Sequence, residues 1–279
     1  MQRVELYNLL SSTAEPLYGT REAEQIARMI LAELAGVSMT HLILEPSKEC
    51  AIENLDTIVE QLAAGRPVQY IIGEAEFCSF RFVVREGALI PRPETEELVF
   101  RIIEECEAKP RILDVGCGSG AISISLAKSI PDAEVWGVDI SKEALALSRE
   151  NNFRLQADVN FIEGDALNGV EHYVDGLFDI VVSNPPYIPY SELDDMRTNV
   201  TEYEPHIALF VEDDNPLIFY RAIARSAQKL LRSEGLLYFE IHEALWSDVV
   251  EMLREMGYIG VTMLRDINDK PRIVCAEKQ

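Results

Sequence analysis

A short apolar run, Arg111-Ile112-Leu113-Asp114-Val115, leads directly into Gly116-Cys117-Gly118-Ser119-Gly120 and then into the helical pattern Ala121, Ile122, Ile124, Ser125, Leu126. A buried strand that turns into a helix through glycines is the opening unit of an α/β sheet, and its bare backbone lets a ligand approach at the strand's carboxyl end. From this point strands and helices alternate. Strands are expected at about 111–115, 135–139, 159–162, 178–183 and 235–241, with helices at 121–130, 141–153, 217–232 and 243–256. Two further strands, at about 258–264 and 272–277, follow each other with no helix between them, so they are expected to form an antiparallel edge pair. The pattern predicts an α/β fold with a seven-stranded, mainly parallel sheet.

Asp139 closes the strand Val135-Trp136-Gly137-Val138 and lies 23 residues beyond the first glycine, close to the spacing of about 20 for a carboxylate that binds ribose hydroxyls. The half therefore reads as a nucleoside site. Gly116, Gly118 and Ala121 also satisfy the dinucleotide fingerprint, so the glycines alone leave NAD open.

A second motif bears on that choice. Asn184-Pro185-Pro186-Tyr187 follows the strand Phe178-Asp179-Ile180-Val181-Val182-Ser183, where it is expected at a strand's carboxyl end. The Asn184 side-chain oxygen and the Pro185 carbonyl are two acceptors, suited to the two N–H groups of a planar amide or aromatic amine, and Tyr187 supplies a ring to stack on it. The prolines fix φ and hold these groups in place before a substrate arrives. Such a clamp has no evident part in hydride transfer. Asp114, just before the loop, would repel a pyrophosphate but suits the cationic end of S-adenosylmethionine.

Here the chain resembles the class I S-adenosylmethionine-dependent methyltransferases, whose loop reads D/E-x-G-x-G-x-G, as Asp114 to Gly120 does. The Asn-Pro-Pro-Tyr clamp is similar to that of the branch acting on amide or exocyclic amine nitrogens, which spans DNA adenine and protein glutamine methyltransferases. Arg66-Pro67-Val68-Gln69-Tyr70, Ile90-Pro91-Arg92-Pro93-Glu94-Thr95-Glu96, Glu202-Tyr203-Glu204-Pro205 and Gly235-Leu236-Leu237-Tyr238-Phe239-Glu240-Ile241 resemble the HemK/PrmC family, the glutamine-N5 methyltransferases of peptide-chain release factors. The resemblance runs along the whole chain. It implies a Rossmann-like catalytic domain, S-adenosylmethionine as methyl donor and S-adenosylhomocysteine as product, and the glutamine of a Gly-Gly-Gln motif as acceptor. Asp114, Gly116, Cys117, Gly118, Ser119, Gly120, Asp139, Asp165, Ala166 and Asn184 would meet the cofactor. Asn184, Pro185, Pro186, Tyr187, Arg92 and Glu94 would meet the substrate, with Asn184, Pro185 and Tyr187 closest to the chemistry. Where some members carry an aromatic residue against adenine, this chain has Ala166. A ribosomal protein is the nearest rival substrate, and adenine in nucleic acid the next.

Composition weighs against the last of these. With 25 Lys and Arg against 48 Asp and Glu, the formal charge is −23, whereas a nucleic-acid surface needs basic patches to neutralise phosphate. A basic, RNA-binding protein such as a release factor would be attracted instead. Five cysteines with no C-x-x-C pair and four histidines without zinc spacing predict a reduced, metal-free chain, and no long apolar run suggests a membrane span. A cytoplasmic monomer is the expectation.

Before residue 65 the pattern is helical. Arg21–Ala35 carries Ala23, Ile26, Ala27, Ile30, Leu31 and Leu34 on one stripe with Thr20 as N-cap, and a later helix carries Ile52, Leu55, Ile58, Val59 and Leu62. The opposite faces hold Glu15, Glu22, Glu24, Glu33, Glu45, Glu49 and Glu53. Val68–Ile72 and Phe80–Val84, on either side of Gly73, read as a β-hairpin. The expected organisation is a helical domain over 1–65, which the resemblance makes the substrate-recognition part, a hairpin linker over 66–90 and a catalytic domain over 91–279. The long acidic segment 187–214 is expected to border the substrate entrance.

Overall fold

The computed structural model describes residues 1–106 and 109–279. Two units emerge, Met1–Glu74 with Arg197–Tyr203, and Ala75–Met196 with Glu204–Gln279.

In the first unit the apolar stripe decides the packing. Helix α1 (Arg3–Ala35) buries Leu6, Leu10, Ala14, Ala23, Ile26, Ala27, Ile30 and Leu31 against Ile58 and Leu62 of α3 (Leu55–Ala63), while α2 (Met39–Leu44) buries none of its residues. The stripe over Arg21–Ala35 is thus the second arm of a helix that begins 18 residues earlier than expected, broken at Gly19 (φ 71°, ψ 164°). The Thr20 hydroxyl bonds the Glu15 carboxylate at 2.6 Å. Several acidic side chains of the outer faces are engaged within the unit: Glu45 by Arg3 and Lys48, Glu24 by Arg28, and Glu22 by Arg197.

Val68–Ile72 is helical (α4), not the first strand of a hairpin. Val68, Ile71 and Ile72, spaced at three and four residues, all pack into the helical core, and Gly73 caps the turn in the left-handed region at φ 84°. A five-residue apolar run carries too few residues to tell the two periods apart. The hairpin lies further on, as β1 (Glu74–Phe77) and β2 (Phe80–Val83). Its two-residue turn, Cys78-Ser79, has both φ angles positive, the twist that suits adjacent antiparallel strands. The segment Arg197–Tyr203, which includes α8 (Thr198–Thr201), joins the first unit through two bonds from Arg197 Nη1 to Glu22 and one from the Tyr203 hydroxyl to the Ala64 carbonyl.

The second unit runs α5 (Pro93–Glu105), β3 (Arg111–Val115), α6 (Ala121–Ser129), β4 (Glu134–Asp139), α7 (Lys142–Arg154), β5 (Val159–Glu163), β6 (Phe178–Ser183), β7 (Ile188–Pro189), β8 (Phe210–Val211), α9 (Ile218–Leu230), β9 (Leu231–Glu240), α10 (Trp246–Glu255), β10 (Tyr258–Arg265) and β11 (Pro271–Lys278). Seven strands form one sheet in the order β10-β11-β9-β6-β3-β4-β5, in which β11 alone runs against its neighbours. The expected antiparallel pair is present, with β11 placed between β9 and the edge strand β10. Alternation along the central strands splits the core. Leu113, Val115 and Val181 face the layer of α9 and α10, whereas Ile112, Ile180 and Val182 face α5 and α6. Among the described residues no helix is long and apolar enough to cross a membrane.

Candidate active site

The order of the sheet reverses between β3 and β6, which pair in parallel as Ile112↔Ile180, Leu113↔Val181 and Asp114↔Val182. This is the point at which an open α/β sheet leaves a crevice beyond its carboxyl ends. The glycine loop after β3 and the Asn184–Tyr187 clamp after β6 therefore emerge side by side. The Ser183 hydroxyl, 2.5 Å from the Val115 carbonyl, ties the two strand ends together.

A cavity of about 300 Å³, within the range of small-molecule sites, opens there. Gly116, Gly118, Asp139, Asp165, Ala166, Asn184, Pro185 and Pro186 line it, as do Gly87–Leu89 on one wall and Pro205, Ile207 and Ala208 on another. Asp114, Cys117, Ser119, Gly120, Tyr187, Arg92 and Glu94 do not.

Four of the five amides from Gly116 to Gly120 are bonded internally. The N–H groups of Gly116 and Cys117 donate to the Val138 carbonyl at 2.8 and 3.1 Å, that of Gly118 to Asp139 Oδ2 at 2.8 Å, and that of Gly120 to the Cys117 carbonyl at 2.8 Å. A phosphate-binding loop would aim such groups at its ligand. The charged lining of the cavity, Asp139 and Asp165 with no lysine or arginine among the described residues, points the same way. This site suits a neutral or cationic ligand and disfavours a pyrophosphate.

Close docking of the loop on β4 also explains Gly137, in mid-strand. A Cβ there would lie 2.7 Å from two ring carbons of Phe161 and 3.1 Å from Cys117 Cβ. Gly137→Ala is expected to cost about 1–3 kcal/mol of stability through overpacking, read as a lowered Tm.

Asp114 sits on the α6 face of β3, fully buried. Its Oδ2 accepts the Ser123 N–H at 3.1 Å, and its Oδ1 has no partner among the described residues. Burial pushes its carboxyl up to about 7, an effect that Ser123 only partly offsets and nearby Asp139 reinforces. A buried carboxylate with an unused oxygen fits a cationic group nearby. Asp139 is also raised by burial, and its two oxygens hold the Gly118 and Ser141 amides. Asp165 accepts from the Leu167 amide and from Asn168 Nδ2, which orders the turn that brings Ala166 and Leu167 to the cavity. With Ala166 at that position, the apolar side chains that line the cavity include Ile140 and Leu167, both more than 40 % exposed, and Phe219 of α9. The apolar residue directly after Asp139 was the sequence signal for Ile140.

At the clamp, Asn184 Nδ2 lies 3.4 Å from Thr95 Oγ1, and the Thr95 hydroxyl is 2.5 Å from Glu240 Oε2. The Tyr187 hydroxyl donates to Glu240 Oε1 at 3.0 Å. Burial and the adjacent Glu240 drive the Tyr187 phenol far above its ordinary range, so it stays a donor. Its ring is half-buried and meets His242 edge-on at 6.0 Å, and its amide donates to the Leu209 carbonyl. Among the described residues, neither Asn184 Oδ1 nor the Pro185 carbonyl has an internal donor. The two acceptors read from the sequence are both open.

Arg92 and Glu94, at the start of α5, have different surroundings. Arg92 pairs at 2.6 Å with Glu204, a buried carboxylate that also accepts the Ile90 amide at 3.1 Å. Glu204 thereby fastens the chain just beyond Leu89 to the chain just before Pro205, two walls of the cavity. Burial raises the Glu240 carboxyl, Thr95, Arg272 and Tyr187 offset part of the rise, and nearby Glu94 adds slightly to it. Glu204 and Glu240 are the polar groups whose roles local patterns did not assign. Each sat in a recognisable motif, but their partners lie 53 to 145 residues away.

A methyltransferase domain family matches residues 107–272, and the PrmC N-terminal domain family matches residues 9–73. The release factor glutamine methyltransferase of Bacteroides thetaiotaomicron is 40% identical over 285 residues, covering 100% of both chains. That of Flavobacterium psychrophilum is 40% identical over 92% of this chain and 93% of its own, and that of Streptococcus pneumoniae is 38% identical over 90% of each. Among solved structures, a methyltransferase from Pyrococcus furiosus aligns with a TM-score of 0.54 at 17% identity, over 71% of this chain and 88% of its own. The T. thermophilus 16S rRNA N2 G1207 methyltransferase, in complex with AdoMet and guanosine, has a TM-score of 0.54 at 18% identity, over 74% and 50%. These structures share the class I methyltransferase fold. With identity of this order along its whole length and both domain families matched, the chain belongs to the release factor glutamine methyltransferase family.

Proposed function

We propose that this chain transfers a methyl group from S-adenosylmethionine to the side-chain amide nitrogen (N5) of the glutamine in the Gly-Gly-Gln motif of class-1 peptide-chain release factors. S-adenosylhomocysteine is the second product, and the modification modulates translation termination in the cytoplasm. The observation that carries this reading is the pair of acceptors without an internal donor among the described residues, Asn184 Oδ1 and the Pro185 carbonyl, in two residues that line a cavity whose charged lining is anionic. A primary amide offers two N–H donors to such a pair.

When bound, S-adenosylmethionine supplies an electrophilic methyl on a sulfonium. The chain's own residues supply orientation. An amide nitrogen is a poor nucleophile because its lone pair is delocalised, so Asn184 and Pro185 hold both amide hydrogens and aim the nitrogen. As the nitrogen–carbon bond forms, the same two acceptors stabilise the positive charge that develops on nitrogen. The surplus proton leaves to water, because the Asn184 carboxamide is not appreciably basic. Asp139 and Asp165 suit the ribose hydroxyls and the adenine amine, and Asp114 the cationic end. The helical unit Met1–Glu74 serves as the substrate-recognition part and the chain from about 91 as the catalytic part, with a monomer as the working form.

Incubation of an unmodified class-1 release factor with this protein and S-adenosylmethionine, followed by mass spectrometry, should add one methyl to the Gly-Gly-Gln peptide. No gain, with cofactor binding shown separately, would refute the reading.

Asp114 gives the proposal a pH signature. Because burial raises its carboxyl to about 7, the folded chain binds a proton there that the unfolded chain has lost. Its contribution to stability is therefore lost as pH rises from about 4 to 7. A cationic ligand reverses the preference and expels the proton. S-adenosylmethionine affinity should rise with pH, by at most about tenfold per unit below pH 7, and level off above it. Calorimetry in buffers of different ionisation enthalpy measures both the slope and the released proton, and Asp114→Asn should abolish them.

A further inference from the structure

Nothing in the clamp itself decides which end of the Asn184 carboxamide faces the substrate. Oxygen and nitrogen are nearly isosteric, and the wrong orientation would present two donors to a group that is itself a donor. The decision is made by side chains behind it. Thr95 is 4 % exposed and Glu240 2 % exposed, and they come from the first turn of α5 and the end of β9. We propose that Glu240 is a positioning residue: its carboxylate takes the only hydroxyl proton of Thr95, which leaves Thr95 Oγ1 an acceptor for Asn184 Nδ2 and turns Asn184 Oδ1 toward the substrate.

The hydrogen-bond directions follow from the donor inventory. Glu240 receives two hydroxyls, Thr95 on Oε2 at 2.5 Å and Tyr187 on Oε1 at 3.0 Å, so each oxygen has a donor. A hydroxyl carries a single proton, and once this is given to Glu240 only lone pairs remain for Asn184. The Nδ2-to-Oγ1 contact of 3.4 Å is long, and its energy is small; what matters is that the reversed amide would set Oδ1 against an oxygen with no proton to give. Through Tyr187 the same carboxylate fixes the residue that ends the clamp. Arg272, on β11, provides the opposing charge, while Glu94 acts against it from α5.

The chemical consequence is selection for an N–H-bearing group over a carboxylate of the same shape. Glu240→Gln tests it directly. A glutamine there can donate to Thr95, whose hydroxyl then turns to Asn184 and flips the carboxamide. This inference rests on the proposed glutamine methylation, and the assays separate the two. Wild-type protein that fails to methylate a release factor overturns the functional reading.

Given wild-type turnover, Glu240→Gln should lower kcat by about 100-fold, while S-adenosylmethionine affinity stays within about threefold. Thr95→Val should behave alike, and Thr95→Ser, which keeps the hydroxyl, should restore kcat to within about threefold of wild type. A release factor with glutamate in place of the acceptor glutamine should inhibit Glu240→Gln about tenfold more strongly, relative to its product, than it inhibits wild type. A merely structural role would leave that ratio unmoved. The inference fails if Glu240→Gln keeps wild-type kcat, if its loss appears equally in cofactor affinity, or if Thr95→Ser loses as much as Thr95→Val.

Discussion

Asn184→Ala is expected to lower kcat by roughly 100- to 1,000-fold while leaving S-adenosylmethionine affinity within about threefold. The substitution removes one of two acceptors that hold the nucleophilic nitrogen. The Pro185 carbonyl remains, so a substrate amide still binds, but it gains rotational freedom about the single surviving contact. That freedom is what the aligned geometry suppresses, and its return raises the barrier with little change in binding. Stability should be almost unaffected, because among the described residues the one side-chain hydrogen bond lost is the long one to Thr95. Steady-state kinetics with a release factor, alongside calorimetry of cofactor binding, checks the split. Near-normal turnover in the variant would refute the assignment of Asn184 as the clamp.

Asp139→Ala should give the opposite signature, with cofactor affinity reduced by roughly 100-fold or more and kcat at saturating cofactor largely retained. Asp139 lines the cavity and also builds it. Its two oxygens accept the Gly118 and Ser141 amides at 2.8 Å each, which anchors the glycine loop on one side and the start of α7 on the other. Each carboxylate oxygen has a second lone pair, so ribose hydroxyls can be accepted without releasing either amide. Alanine leaves two part-buried amides without their partner, at up to about 1–3 kcal/mol each, and removes the acceptors for the ligand. A lowered Tm in the free protein should accompany the lost affinity. Unchanged affinity would remove Asp139 from the cofactor site.

Much of this architecture was legible in the amino-acid order. The strand ending at Val115 and the glycines after it needed only local pattern, and so did Asp139 at the end of the next strand. The reading of Val68–Ile72 as a strand failed because five apolar residues satisfy both periods, and the helical core that Val68, Ile71 and Ile72 enter is built by α1 and α3. Thr20 was expected to cap a helix, but its hydroxyl instead meets Glu15 on the far side of the Gly19 break. Tyr187 was expected as an aromatic lid. Its ring is half-buried, with its hydroxyl on Glu240, a partner 53 residues away.

The sequence by itself determined where strands stop, which backbone turns carry glycine, and which side chains at those turns can accept or donate. These are properties of short windows, set by steric limits on φ and by side-chain chemistry. It also determined the anionic charge balance of the chain. Only the tertiary structure decided that four of the glycine loop's amides bond internally, that Asp114 keeps one oxygen without a partner among the described residues, and that Glu204 and Arg92 join two walls of the cavity. The direction of each such hydrogen bond depends on which donors meet at one point. In the clamp the donors come from α5 and the loop after β6 and the carboxylate that accepts them from the end of β9, and only the folded sheet brings the three together.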